Sequence, residues 1–159
     1  DMELNSYSDF GNNQLSKELS FKILDLNYFD EYYLVLVETF KNNPDTNIPT
    51  KDEMRRSVLK QRVPDLLLFL DGKVIGFLGV QVDLDTPEVG DINTIGVLSE
   101  FRGKGLGKML VKRAIDYLSE YGSKRFTLSV AVKNEKALNL YKSFGFVVMQ
   151  QSDSYLYRV

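Results

Sequence analysis

The stretch from Ile92 to Tyr117, INTIGVLSEFRGKGLGKMLVKRAIDY, most constrains what this chain can fold into. A short apolar run (Ile92, Ile95, Val97) passes through a polar turn into a glycine-rich loop, Arg102-Gly103-Lys104-Gly105-Leu106-Gly107. Leu106, Met109, Leu110, Arg113, Ala114, Tyr117 and Leu118 then recur at helical spacing. A strand that feeds a helix through glycines belongs to an α/β architecture. The arrangement also has a chemical use. The first amides of a helix lack intrahelical partners, and glycines let that backbone close on phosphate oxygens.

The flanking sequence supplies the rest of the sheet. Residues 1–18 are polar and aperiodic and read as an N-terminal arm or tail, leaving residues 19–159 as a single domain. Leu19 to Leu26 alternates as a first strand. Asn27 is placed to cap a helix whose apolar face is Phe29, Tyr32, Tyr33, Leu36, Val37 and Phe40. Asn42-Asn43-Pro44 stops it. Thr50 and Glu53 have the spacing of a capping box for a second helix ending before Pro64.

Leu66 to Leu70 and Val74 to Val82 flank Asp71-Gly72, a strong hairpin signal. The continuous apolar character of the second run predicts burial on both faces, with Gly76 and Gly79 admitting close backbone packing. Past the glycine loop and its helix, Gly122 marks a helix end. Phe126 to Val132 is a further strand, with Phe126, Leu128, Val130 and Val132 on one face. Asn134 caps a short helix with apolar positions Ala137, Leu140, Tyr141 and Phe144. Phe146 to Met149 and Tyr155 to Val159 flank Ser152-Asp153 as a terminal hairpin. The predicted order is β-α-α-β-β-β-α-β-α-β-β, a mixed α/β sheet.

Composition narrows the chemistry. The chain has no cysteine and no histidine, so thiolate metal sites, a cysteine nucleophile and the commonest general base are excluded. A net charge of −2 provides no basic footprint for nucleic acid, so no nucleic-acid partner is expected. No apolar run approaches the ~18 residues of a membrane span, and the N-terminus lacks the apolar core of a secretion signal. A cytoplasmic location without a membrane partner is expected.

Three glycine-rich signatures compete for the loop. A P-loop needs four residues between its glycines and Ser or Thr after the lysine. Here Gly103 to Gly107 is one residue short, and Met109 stands where the hydroxyl belongs. A dinucleotide fingerprint needs G-x-G-x-x-G, whereas this loop is G-x-G-x-G. Arg102-x-x-Gly105-x-Gly107, by contrast, resembles the R/Q-x-x-G-x-G/A signature of the GCN5-related N-acetyltransferases (GNAT). The string Asn134-x-x-Ala137-x-x-Leu140-Tyr141-x-x-Phe144-Gly145-Phe146 looks like that family's second motif at the expected distance. The resemblance covers roughly residues 19–159.

What the resemblance implies is a GNAT-like, largely antiparallel sheet with helices on both faces, its fourth and fifth strands splayed around the cofactor. The activity is transfer of an acetyl group from acetyl-CoA to a primary amine by direct attack on the thioester, with no metal. The amides of Gly103, Lys104, Gly105, Leu106, Gly107 and Lys108 would hold the pyrophosphate, with Arg102 also a cofactor-binding residue and the Lys104 and Lys108 side chains reading as solvated charge. Ile95, Gly96 and Val97 would pair with the pantetheine arm through their backbone, the Val97 N–H facing the oxyanion. Asn134 would bond to the arm, and Tyr141 would protonate the departing thiolate. The candidate base is Asp91, six positions before Val97, with relay through water as the other route.

Ser129 occupies the place of the glutamate found in the protein N-terminal acetylating branch, which favours a small-molecule amine. A protein acetyltransferase acting on N-termini or lysines, and a non-catalytic CoA-binding sensor or interaction domain, are the alternatives. Pairing of the C-terminal strands, common in such folds, admits a homodimer.

Overall fold

A computed structural model describes residues 4–7, 17–44, 46–130, 134–150 and 155–158. The elements are β1 (Leu4–Tyr7), β2 (Lys17–Ile23), α1 (Phe29–Phe40), α2 (Lys51–Lys60), β3 (Leu66–Leu70), β4 (Lys73–Val82), β5 (Val89–Val97), α3 (Leu106–Glu120), β6 (Arg125–Ser129), α4 (Glu135–Ser143), β7 (Val147–Gln150) and β8 (Tyr155–Arg158). From β2 onward this is the predicted order. Part of the stretch read as an arm, Leu4–Tyr7, pairs antiparallel with β2. The Ser152-Asp153 turn and residues Ala131, Val132 and Val159 lie outside the described residues.

The chain forms two compact units, Asp1–Leu78 with Gly96–Leu106, and Gly79–Ile95 with Gly107–Val159. In the first, β1, β2, β3 and β4 follow one another as an antiparallel ladder. Asp71 and Gly72 join β3 to β4 with φ of 48° and 81°, the hairpin turn their sequence predicted. The Asp71 carboxylate accepts from the Glu18 N–H at 2.9 Å, clamping the turn to β2. Every residue of β3 is buried, as is the run Val74 to Val80 of β4.

Helix α1 packs Phe29, Tyr32, Val35 and Leu36 onto the Leu67, Phe69 and Phe77 side chains. Tyr33, Val37 and Phe40, expected in the buried stripe, are half-buried at its flanks, while Val35 takes a central place. Phe77 meets the rings of Tyr32 and Phe40 edge-on at 5.7 and 5.9 Å. Burial, reinforced by the negative charge of Asp65, holds the Tyr32 phenol above its ordinary range.

The cap differs from the expectation. The capping residue is Asp25, not Asn27: its carboxylate accepts from the Asn27 N–H at 2.8 Å and opens a 3-10 turn that leads into α1. A charged acceptor two residues earlier captures the free donor, so Asn27 is consumed inside the turn. The Thr50–Glu53 capping box forms as predicted, with reciprocal bonds of 2.8 and 3.2 Å.

In the second unit the strands run in the order β5, β6, β8, β7, with β5 and β6 parallel and the other pairs antiparallel. Leu110, Val111, Ala114 and Leu118 form the buried face of α3. Gly90 lets that helix close on β5, since a Cβ there would stand 2.9 Å from the Leu118 methyls. Arg113 is buried on α3, paired with Glu120 at 3.2 Å and lying over the Tyr117 ring.

Candidate functional site

The glycine loop has two kinds of glycine. Gly103 and Gly105 have φ of 76° and 80°, a region that a side chain strongly disfavours, so they shape the turn that delivers the chain into α3 at Leu106. A Cβ added at Gly103 would meet nothing within 4 Å, so that side of the loop is open. Gly107 serves packing instead, because its Cβ would lie 3.2 Å from a Leu140 methyl of α4. The first turn of α3 contains no acidic residue, so no carboxylate competes for its free amides and positive end. Lys104 and Lys108 are exposed there.

Ile95, Gly96 and Val97 close β5 immediately before the loop. Gly96 lies against the Phe77 ring so tightly that a Cβ would be 2.3 Å from Cζ. Gly76 in turn faces the Gly96 carbonyl, where a Cβ would be 2.8 Å from the oxygen. The Leu98 N–H donates to the Ile75 carbonyl at 2.9 Å. Arg102 folds back, donating from Nε to the Val97 carbonyl at 3.0 Å and from a terminal nitrogen to the Thr39 carbonyl at 3.2 Å. The backbone from Gly96 to Leu98 is thereby held on several sides.

The parallel pair β5–β6 is pinned at one end and parted at the other. At its base the Ser123 hydroxyl donates to the Pro87 carbonyl at 2.8 Å, and the Lys124 and Arg125 N–H groups donate to the Glu88 carbonyl at 2.9 and 3.0 Å. Residue pairs run from Val89–Arg125 to Ile92–Leu128. Among the described residues the pairing stops there, and Asn93 and Thr94 have no pair in β6. These are the fourth and fifth strands of the predicted order, and they splay as expected.

Asp91 sits within the paired segment, directly opposite Thr127. The buried Thr127 hydroxyl donates to the Asp91 carboxylate at 2.6 Å. That bond fixes the orientation of the carboxylate.

Asn134 caps α4, its side-chain oxygen accepting from the Ala137 N–H at 3.1 Å. That use leaves the amide nitrogen as the group available for donation. Tyr141 is half-buried, its ring 6.0 Å from that of Phe146, and burial raises its phenol above the ordinary value. No residue of α4 is fully buried, and Ala137, Leu140, Tyr141 and Phe144 give it a half-covered apolar face.

Three partners were not legible in the sequence: Phe77 behind Gly96, Thr127 on Asp91 and the Thr39 carbonyl on Arg102. No local pattern announces them, since each lies far along the chain from its partner. Among the described residues no group of histidine, cysteine or carboxylate side chains could hold a metal ion, and no helix is long and apolar enough to cross a membrane.

A strand parting from its parallel neighbour, followed by a glycine-turned helix start, defines the N-acetyltransferase class of fold. The chain belongs to the Acetyltransferase (GNAT) family, whose sequence model matches residues 27–146. It is 32% identical over 97 residues to a Bacillus subtilis protein provisionally named a ribosomal protein bS18-alanine N-acetyltransferase, covering 60% of this chain and 62% of that one. It is also 32% identical over 87 residues to the mycothiol acetyltransferase of Corynebacterium glutamicum, covering 54% of this chain and 29% of the relative. The chain thus spans less than two thirds of either. The PaiA N-acetyltransferase of Thermoplasma acidophilum, solved in complex with coenzyme A, shares the fold with a TM-score of 0.72 at 18% identity, over 88% of this chain and 98% of that one.

Proposed function

We propose that residues 19–159 act as one acetyl-CoA-dependent N-acetyltransferase domain that acetylates a primary amine on a small molecule. Within a GNAT chain, the observation that carries this reading is the parting of β5 from β6 beyond Ile92 and Leu128. Backbone donors and acceptors released from a ladder need other partners, and the amides of a pantetheine arm supply them. Acetyl-CoA supplies the activated acetyl group as its thioester.

The chain's own residues take the following roles. The amides from Gly103 to Lys108 hold the pyrophosphate, at a helix start free of acidic side chains. Ile95, Gly96 and Val97 orient the arm through their backbone, and the Val97 N–H is the donor for the thioester oxygen as charge develops on it. Loss of one such donor typically raises a barrier by ~3 kcal/mol. Asn134 donates to the arm from its amide nitrogen. Tyr141 gives its proton to the leaving sulfur.

The amine must shed a proton before attack, which costs ~4.6 kcal/mol at pH 7 for an alkyl amine of pKa ~10.4. Asp91, oriented by Thr127, is the base. It takes the proton through a bridging water, and direct loss to solvent is the other route. Asp91→Asn preserves the shape and should lower kcat/KM on the order of 10²-fold. An unchanged kcat/KM would send the proton directly to solvent.

Protein acetylation is the second reading, supported by the likeness to the Bacillus subtilis relative. Ser129, at the end of β6, weighs against it, being in the place of the N-terminal acetylating branch's glutamate. Native mass spectrometry with acetyl-CoA and ATP offered together tests the ligand, and preference for ATP would overturn the proposal. Free-thiol release with polyamines, amino acids, aminoglycosides and peptides then separates the acceptor classes. Tight CoA binding without turnover on any amine would assign a sensor instead.

A further inference from the structure

The first residue of the glycine motif does something its position does not announce. The Arg102 side chain hydrogen-bonds to two separate elements, and both acceptors are backbone carbonyls. One is Val97, the last residue of β5, five positions back. The other is Thr39, in the last turn of α1, 63 positions away.

The Thr39 carbonyl has reason to want a donor. Just past α1 the Asn43 N–H turns to the Phe40 carbonyl at 3.0 Å, an i to i+3 bond. Thr39 thereby loses the donor that a continuing helix would have provided, and its carbonyl joins the negative helix end. A guanidinium placed there satisfies the orphan and meets a favourable field. Its planar fork can bridge two carbonyls in fixed geometry, which an ammonium cannot reproduce.

The surroundings make this a brace between working parts. Phe40, next to Thr39, packs on Phe77, and Phe77 is the ring that Gly96 touches. The end of α1, the end of β5 and the loop therefore share one set of contacts within the first unit. We propose that Arg102 is a positioning residue: its guanidinium ties the end of β5 to the C-terminal turn of α1, setting the Val97 backbone and the loop, and does not act as a charge on the cofactor's phosphates. This rests on the acetyl-CoA reading above.

The test compares two donors, acetyl-CoA and S-acetylpantetheine, which has the thioester and arm without the pyrophosphate or nucleotide. Arg102→Ala should lower kcat/KM about tenfold with both donors, the order expected for a lost charge-assisted hydrogen bond. Arg102→Gln places an N–H where Nε stood and keeps the Val97 bond, so it should retain more activity than Arg102→Lys, which keeps only the charge. Hydrogen exchange in the last turn of α1 should quicken in all three variants. A loss seen only with acetyl-CoA and restored by lysine would make Arg102 a phosphate ligand and overturn the proposal, as would no loss at all. Should Arg102→Ala fail to fold, the glutamine and lysine variants still decide the matter. If the folded wild type turns over no thioester, the acetyltransferase reading fails, while exchange at α1 still reports on the brace.

Discussion

Tyr141→Phe should slow turnover on the order of 10²-fold, the usual effect of removing a positioned general acid, with acetyl-CoA affinity nearly unchanged. The phenylalanine keeps the ring and its edge-on contact with Phe146, so the packing of α4 is preserved and only the proton is lost. An ordinary phenol near 10 giving a proton to a thiolate near 8.5 is uphill by ~2 kcal/mol, and burial makes the step somewhat harder. The same burial keeps the acid available. Its neutral form is the active one, its pKa is raised, and the active fraction is therefore complete at neutral pH and lost only as pH rises past the raised value. The phenol's contribution to stability runs the same way, present below pH ~10 and lost above it. Single-turnover rates measured from pH 6 to 9.5 should show no basic limb due to Tyr141. A large loss of acetyl-CoA affinity in the phenylalanine variant would mean that the residue is structural.

Gly96→Ala should damage both stability and activity. Its Cβ would lie 2.3 Å from Cζ and 2.7 Å from Cε1 of Phe77, closer than any real contact. Phe77 cannot yield freely, being fully buried between the Tyr32 and Phe40 rings. Overpacking of this kind costs ~1–3 kcal/mol. In a chain of this length that is a fall in Tm of roughly 5 °C. The end of β5 must also shift, carrying the Val97 N–H with it, and displacement of a preorganised donor is felt in kcat before KM. Thermal unfolding and steady-state kinetics measure the two effects separately. The double variant Gly96→Ala/Phe77→Leu frees the space and should recover part of the lost Tm, because contacting sites couple. Independent, additive losses would mean that the strain is relieved elsewhere.

The features legible in the sequence are those whose cause lies within a few residues. The Thr50–Glu53 capping box, the Asp71-Gly72 hairpin and the helix start at the glycine loop formed where local rules placed them. Burial of β4 on both faces followed from its unbroken apolar run. The Asn27 cap failed at the same scale, because Asp25, two residues earlier, caps a 3-10 turn that takes Asn27 into it. A spacing rule recognises acceptors but does not rank two that stand two residues apart.

The glycine motif shows where the boundary falls. Sequence by itself determined that Arg102 to Gly107 joins a strand to a helix, that its spacing fits neither nucleotide signature, and that a second motif accompanies it from Asn134 to Phe146. It could not divide the labour among the loop's residues. Only the tertiary structure made Gly103 and Gly105 turn residues, Gly107 a packing contact for Leu140, and Arg102 a brace to Thr39. The opening of β5 away from β6, and the pairing of Asp91 with Thr127, were likewise decided there. The physical reason is range. Propensity, capping and turn chemistry act between residues one to four positions apart, whereas a Cβ clash or a hydrogen bond between distant segments exists only once the fold has brought them together.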